Sequence, residues 1–377
     1  MKISFAALVS LLGSAHAMAS PSTISKSDFP RFLQEKTTLE QELQAWKESA
    51  AGQLAKQHDF FIAASKTNVQ SADEMHEDQV RRFFLTKLHI EQAQQANPDA
   101  VFSTDSPFTL MTDEEFAAFV GNSFMRGDSG NVLLGQGLAM ELPGDQVDAS
   151  DINGTVPDAG DKDWTTSGCV APVKNQGQCG SCWAFAAVAS LESAYCLKGN
   201  PLTLLSEQQV VSCDSESGGC EGGFPGDALN YVQQNRGICL TEAYPYVSGT
   251  SRETEECETA SCTVQAIEIQ QVVNVPRSES GLVTALGGRP VAVGVAAGNN
   301  TWKQYKSGVV SSCSSSQLDH AVLAVGYGGS STSTPFFKIK NSWGTTWGEA
   351  GYIRLKRGVS GAGTCGIIGP KSVYPVL

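Results

Sequence analysis

The chain has 377 residues, of which 41% are hydrophobic, and 39 acidic against 26 basic residues give it a formal net charge of −13 at pH 7. This length is enough for two domains of ordinary size. No basic patch stands out, which argues against a nucleic acid partner. No segment after the first 20 residues is long and apolar enough to span a membrane, so a membrane is not expected as a partner either.

The N-terminus has the pattern of a secretory signal peptide. Lys2 supplies a positive charge, an apolar stretch covers residues 3–12, and Ala15-His16-Ala17 is a small-x-small cleavage site. We therefore assign residues 1–17 as a signal peptide, with a buried N-terminal helix as the alternative. The chain is expected to be secreted, or to reach a lysosome or vacuole through the secretory pathway.

Residues 18 to about 150 contain no cysteine and are rich in glutamine and glutamate. Apolar residues recur at helical spacing over 33–46 and again over 80–90, which predicts two amphipathic helices. The first apolar stripe consists of Leu33, Leu39, Leu43 and Trp46. A glycine-rich, acidic stretch over 127–160 follows and is typical of an exposed linker. Composition alone is compatible with a small, independent helical domain before this linker.

The second half of the chain changes in character midway. The stretches from Trp183 to about Val211 and from Gly226 to Gln234 have helical character. From Val264 onward, β-branched residues and turn signals predict strands. Helices followed by strands indicate an α+β fold, with two subdomains packed together and a cleft between them.

A cysteine follows a glycine-rich turn in the run Gln-Gly-Gln-Cys-Gly-Ser-Cys-Trp at positions 176–183. Cys182 begins an apolar, helix-compatible stretch, where the positive end of a helix dipole stabilises a thiolate. The chain contains 11 cysteines, an odd number, so at least one thiol stays outside the disulfides that an oxidising compartment permits. Cys182 is therefore predicted to be a nucleophile.

A base and an orienting amide follow at characteristic distances. Of the five histidines only His320 lies beyond Cys182, 138 positions after it, and Asn341 lies 159 positions after it. Proteases with a C-G-S-C-W block place a histidine and then an asparagine about 130–150 residues downstream. His320 falls inside this range, and Asn341 lies slightly beyond it, where an extra loop would place it. Cysteine, histidine and an amide that orients the imidazole are the components of nucleophilic acyl transfer.

In these motifs the chain resembles the papain-like cysteine proteases of the cathepsin L type, densely over residues 163–377 and more loosely over residues 73–120. The resemblance implies an α+β fold with a helical left subdomain, a β-barrel-like right subdomain and the active-site cleft between them, preceded by a helical propeptide. It divides the chain into a signal peptide (1–17), an inhibitory propeptide with its linker (18–155) and a catalytic domain (156–377).

The resemblance also implies a function. The chain would be a cysteine endopeptidase that needs no cofactor or metal ion and acts on peptide and protein substrates. Its own propeptide would be an intramolecular inhibitor, and cystatin-like proteins would be further inhibitors. The enzyme would be a monomer.

The match in the propeptide is uneven. In the best register, the family's helix pattern falls on Asp78, Arg82, Thr86, His89, Ala93 and Asn97. Only Arg82 and Asn97 are identical to the pattern. The following segment, 107–116, matches better, but Leu110 stands where the family has an aspartate that is linked to pH-dependent processing. The activation trigger is therefore left open.

By resemblance, the catalytic residues are Cys182, His320, Asn341 and Gln176. Cys182 and His320 would form a thiolate–imidazolium pair, and Asn341 would hold the ring in plane with the sulfur. Trp343 would shield the histidine–asparagine bond from water. The side-chain amide of Gln176 and the backbone N–H of Cys182 would form the oxyanion hole, with a purely structural role for this glutamine as the alternative.

Substrate-binding residues are assigned by the same resemblance. Gly222, Gly223 and Trp343 would contact substrate, and the two glycines would pair with an extended peptide through main-chain hydrogen bonds, although a plain turn held by Cys220 explains them as well. The side chain of P2, the second residue before the scissile bond, would enter an uncharged pocket. Its residues are Phe224, Pro225, Gly294, Ala321 and Pro370. An apolar P2 residue is therefore predicted, and the lack of a histidine-bearing insertion over 213–223 favours an endopeptidase.

The resemblance implies three disulfides, Cys179–Cys220, Cys213 with Cys257 or Cys262, and Cys313–Cys365. The remaining four cysteines allow three pairings, and the sequence does not choose among them. They are Cys169, Cys196, Cys239 and the unused member of Cys257 and Cys262. Two sequons, at Asn153 and Asn299, are candidate glycosylation sites.

Other interpretations of the motifs stay open. Cys179 and Cys182 form a C-x-x-C motif, which thiol–disulfide oxidoreductases use. Clustered cysteines can bind a metal ion, although these spacings suit disulfides and His320 is the one histidine nearby. A catalytically silent binding or decoy module on the same fold is another alternative, as is transpeptidation through the same acyl-enzyme.

Overall fold

The computed structural model describes residues 23–60, 71–121, 160–260, 262–332 and 334–377. The predicted signal peptide, most of the predicted linker and the sequon at Asn153 lie outside these residues. None of the helices within the described ranges combines the length and the apolarity that a membrane crossing requires.

The N-terminal part of the chain is helical. Its elements are α1 (Phe29–Glu48), α2 (Ala50–Gln57), α3 (Ala72–Ala96), β1 (Ala100–Phe102) and α4 (Asp113–Gly121). Helix α3 begins at a capping box, in which the Ser71 side chain accepts from the Glu74 N–H and the Glu74 side chain bonds back to the Ser71 N–H.

The apolar stripe of α1 differs from the prediction at its first position. The three later residues of the stripe are buried, but Leu33 is 56% exposed. Phe32 is buried in its place and packs against Phe84 of α3, with 5.4 Å between the ring centroids. The buried face of α1 therefore includes Phe32 together with Leu39, Leu43 and Trp46, and Leu33 lies outside it.

The region after residue 160 begins with helices, as predicted. Its elements are β2 (Lys162–Asp163), α5 (Cys182–Leu197), α6 (Glu207–Cys213), α7 (Pro225–Asn235), β3 (Gly237–Cys239), α8 (Ser248–Ser251) and β4 (Val264–Ala266). The stretch with predicted helical character, Trp183 to about Val211, contains α6 as well as the longer helix α5. Helix α5 ends at Leu197, because Gly199 adopts φ +93° and Pro201 cannot continue it.

The last third of the chain forms one mostly antiparallel sheet. Its elements are β5 (Gln271–Asn274), α9 (Glu279–Gly288), β6 (Val291–Val295), α10 (Asn300–Lys303), β7 (Tyr305–Val310), β8 (His320–Gly328), β9 (Phe336–Lys340), β10 (Tyr352–Lys356) and β11 (Val373–Val376). The strand order is β1-β7-β10-β9-β8-β6-β11-β5, with β2 beside β8 and a parallel pairing of β7 with β10. Within the described ranges β5 and β1 do not pair, so the expected β-barrel-like half is an open sheet.

Helix α5 and strand β8 form the centre of the molecule. All residues of α5 except Tyr195 and Leu197 are buried, and β8 is buried along its whole length. The helix packs directly on the strand. Cys182 begins the helix and His320 begins the strand, so the packing of these two elements determines where both side chains lie.

Ten of the 11 cysteines form five disulfides. The bonds are Cys169–Cys196, Cys179–Cys220, Cys213–Cys257, Cys239–Cys262 and Cys313–Cys365. The three pairs implied by the resemblance are among them, and the other two bonds use the four cysteines whose pairing the sequence left open. The remaining cysteine, Cys182, keeps its thiol.

The sequon at Asn299 is engaged in the fold. Its Oδ1 accepts from the N–H groups of Thr301 and Trp302 and caps α10, while its Nδ2 donates to the Ala296 carbonyl at 2.9 Å. A glycan attached to this nitrogen would have to break the bond to Ala296.

A buried ion cluster lies behind the cleft. Lys174 Nζ is 2.8 Å from Glu192 Oε1 in α5 and 2.5 Å from Glu207 Oε1 in α6, and both carboxylates are buried. Burial alone would lower the pKa of Lys174, but the two carboxylates hold that pKa above its usual range. The Lys174 carbonyl accepts a hydrogen bond from Gly344, three residues after Asn341. The cluster therefore anchors a segment that contacts both halves of the molecule.

Replacing Lys174 with methionine should destabilise the fold. Two buried carboxylates would lose their cation, and breaking a buried ion pair costs about 3–5 kcal/mol. The free energy of unfolding, measured by urea denaturation, should fall by that amount. The control Lys198→Met, at an exposed position just after α5, should change it by less than about 0.5 kcal/mol. Equal effects of the two substitutions would contradict a stabilising role for the cluster.

Candidate active site

Cys182 is the first residue of α5 and is completely buried. The turn before it is fixed by the Cys179–Cys220 disulfide and by a hydrogen bond from the Gly180 N–H to the Cys220 carbonyl at 3.0 Å. Because Cys179 is bonded to Cys220, the C-x-x-C motif lacks the second thiol that an oxidoreductase would use for exchange. The helix N-terminus favours a thiolate at Cys182.

Strand β8 places His320 beside the cysteine. The backbone N–H of the next residue, Ala321, donates a hydrogen bond to Cys182 Sγ at 3.2 Å. The Nε2 atom of His320 lies 2.8 Å from Asn341 Oδ1, and Trp343 stacks on the imidazole with 4.8 Å between centroids and 25° between planes. The structure brings together the cysteine, the histidine, the asparagine and the tryptophan that the sequence analysis selected.

The asparagine determines the tautomer of the histidine. An amide oxygen only accepts hydrogen bonds, so a neutral His320 donates its Nε2 proton to Asn341 and keeps Nδ1 as an acceptor. Nδ1 is therefore the atom that can take a proton from a thiol. Asn341 is itself fixed, since its N–H donates to the Gly351 carbonyl at 2.9 Å and its Oδ1 also accepts from the Ser342 N–H at 2.8 Å.

Burial controls the charge of the histidine. It lowers the pKa of His320 to about 4, and the bond to Asn341 offsets only part of this effect. This burial favours the neutral imidazole over the cation of the expected thiolate–imidazolium pair, because a buried cation lacks solvent. The neighbouring Asp319 is engaged elsewhere, since its carboxylate accepts from the N–H groups of Ala297 and Gly298 at 2.6 and 3.0 Å.

The side chain of Gln176 is buried and bonded at both ends. Its Oε1 accepts from the Ser342 hydroxyl at 2.7 Å, and its Nε2 donates to the Cys179 carbonyl at 3.1 Å. A side-chain amide has two N–H hydrogens, so one can bind Cys179 while the other serves a substrate oxygen. The N–H groups at the start of α5 have no acceptor within the helix and are a second source of donors. Ser342 carries no signal in the sequence beyond its position between Asn341 and Trp343.

Gly222 and Gly223, which were predicted to contact the substrate, lie where the local geometry requires glycine. Gly222 has φ 110°, a conformation that side chains rarely adopt. A Cβ on Gly223 would lie 2.6 Å from the Trp183 ring, so only glycine fits there. The tight turn and a substrate-binding role are compatible, because both need exposed backbone without side chains.

The expected P2 pocket draws residues from both halves of the molecule. Gly294 of β6 pairs with Ala321 of β8. Phe224 is the N-cap of α7 and Pro225 is its first residue. Pro370 is half-buried in the turn that leads into β11.

Lys371 brings a positive charge to this group of residues, which the sequence analysis described as uncharged. Its Nζ lies 4.4 Å from the centre of the Phe224 ring. Lys371 is exposed, and its φ of 78° is a left-handed conformation in the turn before β11. The conformation of that turn decides whether Pro370 or Lys371 faces Phe224, and residue spacing alone does not reveal it.

Aromatic residues from the N-terminal part of the chain cover the site. Phe108, Phe116 and Phe119 pack against Trp343, with centroid distances of 5.1, 5.7 and 6.3 Å. Phe60, from the end of the segment after α2, lies 5.1 Å from Phe108. As a result Trp343 is only 2% exposed.

Polar contacts attach this N-terminal part of the chain, called the cover below, to the far side of the cleft. His58 Nε2 lies 3.2 Å from Asn175 Nδ2. Next to it, Asp59 forms an ion pair with Arg252, with 2.7 Å between Oδ2 and Nη2. Residues 58–60 therefore contact both the loop before Cys182 and the segment around α8.

Several positions of the uneven helix pattern have structural roles. Asn97 Oδ1 accepts from the N–H groups of residues 311 and 312 at 2.9 and 2.8 Å, which attaches the end of α3 to the strand half. Arg82 donates to the Leu110 carbonyl at 3.0 Å and pairs with Glu115 of α4. Of the two residues identical to the family pattern, Arg82 thus links α3 to α4, and Asn97 attaches α3 to the strand half.

The family pattern expects an aspartate at position 110, but the carboxylate that joins α4 to the strand half belongs to Asp113, three residues later. Leu110 is buried, whereas Asp113 Oδ1 lies 3.5 Å from Lys303 Nζ and 3.3 Å from His89 Nδ1. Burial alone would raise the pKa of Asp113, but His89 and Lys303 hold it below its usual range. The acid group at this junction is therefore Asp113.

Comparison with known proteins agrees with this geometry. The family described as papain family cysteine protease matches residues 159–376. The chain belongs to the papain family of cysteine proteases. Its α+β fold, with the site between a helical half and a sheet, is the papain-like fold.

Relatives and solved structures extend the match into the N-terminal part of this papain-family chain. Vignain of Ricinus communis is 35% identical over 317 residues, which are 80% of this chain and 81% of vignain. The proform of the ragweed cysteine protease Amb a 11 matches with a TM-score of 0.67 and 30% identity over 88% of each chain. Bromelain from Ananas comosus, in complex with the E64 inhibitor, matches with a TM-score of 0.54 and 41% identity over 58% of this chain and 99% of bromelain.

Other relatives are matched over a smaller share of their length. The chain spans 60% of a rice senescence-specific cysteine protease at 41% identity, and 59% of a cysteine proteinase from Trypanosoma brucei brucei at 39% identity.

Proposed function

We propose that the chain is a cysteine endopeptidase that hydrolyses peptide bonds with Cys182 and His320. One observation carries the proposal. A thiol at a helix N-terminus lies 3.2 Å from the N–H that follows a histidine, and that histidine is bonded to an asparagine at 2.8 Å. A catalytically silent module would not need a thiol, a base and an orienting amide in one place.

The mechanism follows from the position of each group. The Cys182 thiolate adds to a peptide carbonyl carbon, and the electron pair of the C=O bond moves to the oxygen. The Cys182 N–H and the Gln176 amide donate to this oxyanion. His320, which carries the proton that its Nδ1 took from the Cys182 thiol, protonates the amine as the C–N bond breaks, which leaves an acyl-enzyme. His320 then takes a proton from water, the resulting hydroxide attacks the acyl carbon, and the C–S bond breaks to regenerate the thiolate.

We also propose that residues 18–155 are an inhibitory propeptide with its linker and that residues 156–377 are the catalytic domain. The packing of Phe108, Phe116 and Phe119 on Trp343 supports this division, because it places the N-terminal part of the chain over the tryptophan that stacks on His320. Residues 1–17 would direct the chain to secretion or to a lysosome or vacuole. The proposed substrates are peptides and proteins. The enzyme would act as a monomer, and cystatin-like proteins would inhibit it.

Incubation of the full-length protein at mildly acidic pH tests the activity. The wild type should lose its N-terminal part, acquire a new N-terminus within residues 149–161 and cleave peptide substrates. Cys182→Ala should remain full length, because no acyl-enzyme can form. Added processed wild type should trim the Cys182→Ala protein at the same place, which shows that the variant is folded. Self-processing of Cys182→Ala, or a wild type that cleaves no peptide, would contradict the proposal.

His58 should make release of the propeptide sensitive to pH. Burial, together with the charge of Arg252, lowers the pKa of His58. The released state therefore binds this proton more tightly than the covered state does. The covered state keeps its full stability above the pKa of a free histidine, about 6.5, and loses stability as the pH falls below that value.

The substitution His58→Gln should therefore move the midpoint of acid activation to lower pH. His76→Gln, at an exposed position in α3, is the matched control and should leave the midpoint unchanged. The midpoint is measured as the fraction processed after a fixed time at each pH. Identical midpoints for His58→Gln and the wild type would exclude this role.

Lys371 should allow the P2 pocket to accept an acidic side chain in addition to apolar ones. Among matched peptides, we expect the order Leu, then Glu, then Arg at P2, because the Lys371 charge attracts Glu and repels Arg. Lys371→Met should lower kcat/KM for the Glu peptide by about 1.4- to fivefold, given ~0.2–1 kcal/mol for an exposed ion pair. The Leu peptide should be unaffected. A constant ratio of Glu to Leu cleavage in the two proteins would refute this assignment.

A further inference from the structure

Tyr246 lies beside the two chain segments that carry the expected oxyanion donors. Its ring meets that of Phe185, one helical turn after Cys182, with 4.8 Å between centroids and 88° between planes. Its hydroxyl donates to the Gln176 carbonyl at 2.7 Å and is also 2.7 Å from Ser181 Oγ. One phenol oxygen therefore connects the residue that supplies the side-chain amide with the residue just before the nucleophile.

The direction of these hydrogen bonds follows from the available protons. A phenol has a single O–H donor, and a carbonyl only accepts. Tyr246 therefore gives its proton to Gln176, and Ser181 gives its own proton to the Tyr246 oxygen. Burial, as the largest effect, raises the pKa of Tyr246 above its usual range, so the phenol stays protonated and remains a donor.

The segment that carries Tyr246 is itself held firmly. The side-chain oxygen of Gln208, a completely buried residue of α6, accepts from the N–H groups of Val247 and Ser248 at 2.8 and 3.1 Å. The Gly249 carbonyl accepts from the Gln178 N–H at 2.9 Å. Tyr246 is thus attached to a rigid helix on one side and to the loop of Gln176 on the other.

The backbones at this junction are in direct contact. A Cβ on Gly177, whose φ is +58°, would lie 2.4 Å from the Gly249 carbonyl oxygen. A Cβ on Gly249 would lie 2.7 Å from the Gln176 carbonyl oxygen and 2.8 Å from the Tyr246 ring. The Gln176 loop therefore packs directly on the segment that carries Tyr246, and the Tyr246 hydroxyl is one of the groups that hold the Gln176 backbone.

We propose that Tyr246 is a positioning residue for the oxyanion hole, which it sets by bonding to the Gln176 carbonyl and to Ser181. The inference rests on the proposed peptidase function. An oxyanion hole works because its donors are in place before charge develops on the substrate oxygen. Tyr246 fixes the distance between the loop that carries the Gln176 amide and the helix start that carries the Cys182 N–H.

The test compares processed wild type with Tyr246→Phe, which removes only the hydroxyl. We expect kcat to fall about tenfold with KM unchanged, a fraction of the roughly 10²–10³ that loss of a whole oxyanion donor costs. A peptide aldehyde, whose carbonyl takes up the thiol to give a hemithioacetal with an oxygen in the hole, should bind more weakly by the same factor. Exchange of Cys182 with a small aromatic disulfide involves no carbonyl, and its rate and pH profile should not change.

Tyr231→Phe is the matched control. It removes a hydroxyl of the same helical half, which accepts from Gln209 Nε2 at 3.0 Å, and should leave all three measurements unchanged. Ser181→Ala removes the hydrogen bond between Ser181 and Tyr246 and keeps the one from Tyr246 to the Gln176 carbonyl. It should show the same pattern with a smaller loss, and it carries the test if Tyr246→Phe does not fold.

The outcomes separate this inference from the function on which it rests. A wild type without peptidase activity would refute the function itself. With an active wild type, unchanged kcat and aldehyde affinity in Tyr246→Phe would overturn the positioning role. An equal loss in disulfide exchange would overturn it as well, because the substitution would then have disturbed the thiol and not the oxyanion hole. Only the selective loss supports the proposal.

Discussion

The site depends on one contact, between the N-terminus of α5 and the start of β8. Packing creates it, because nearly every residue of the helix is buried and the strand is buried along its whole length. A helix and a strand are rigid, so fixing their buried faces also fixes their ends. The bond of 3.2 Å between the Ala321 N–H and Cys182 Sγ is the result. Residues that complete the site, such as Gln176 and Asn341, are then held by hydrogen bonds to neighbouring segments.

Burial has two opposite consequences for these groups. In the helical and strand halves it supplies the packing energy that brings sulfur and imidazole together. At the surface of the cleft, Phe108, Phe116 and Phe119 of the N-terminal part cover Trp343, and the burial of His320 favours its neutral imidazole. Under the proposed function, the cover would keep a fully folded catalytic site inactive. Its removal would open the site to substrate and favour protonation of the ring.

Sequence reasoning was successful where chemistry is local and limited where geometry is long-range. The block around Cys182, the single downstream histidine and the asparagine after it are short patterns with a direct chemical meaning. The stretch from Trp183 to about Val211 was predicted as helical without the break between α5 and α6, where Gly199 and Pro201 lie. The charge of Lys371 beside the P2 pocket and the carboxylate of Asp113 depend on how a turn or a helix is oriented. Spacing along the chain does not contain that information.

The pH dependence of thiol alkylation tests the central claim most directly. In the processed protein, iodoacetamide should modify one thiol, Cys182, at a rate that stays high well below the pKa of about 8.5 of a free cysteine. His320→Ala should lose this plateau, and the full-length protein should react far more slowly at neutral pH because the site is covered. A processed protein whose thiol reacts only as the pH approaches the pKa of a free cysteine would contradict the account. So would a full-length protein that reacts as fast as the processed one.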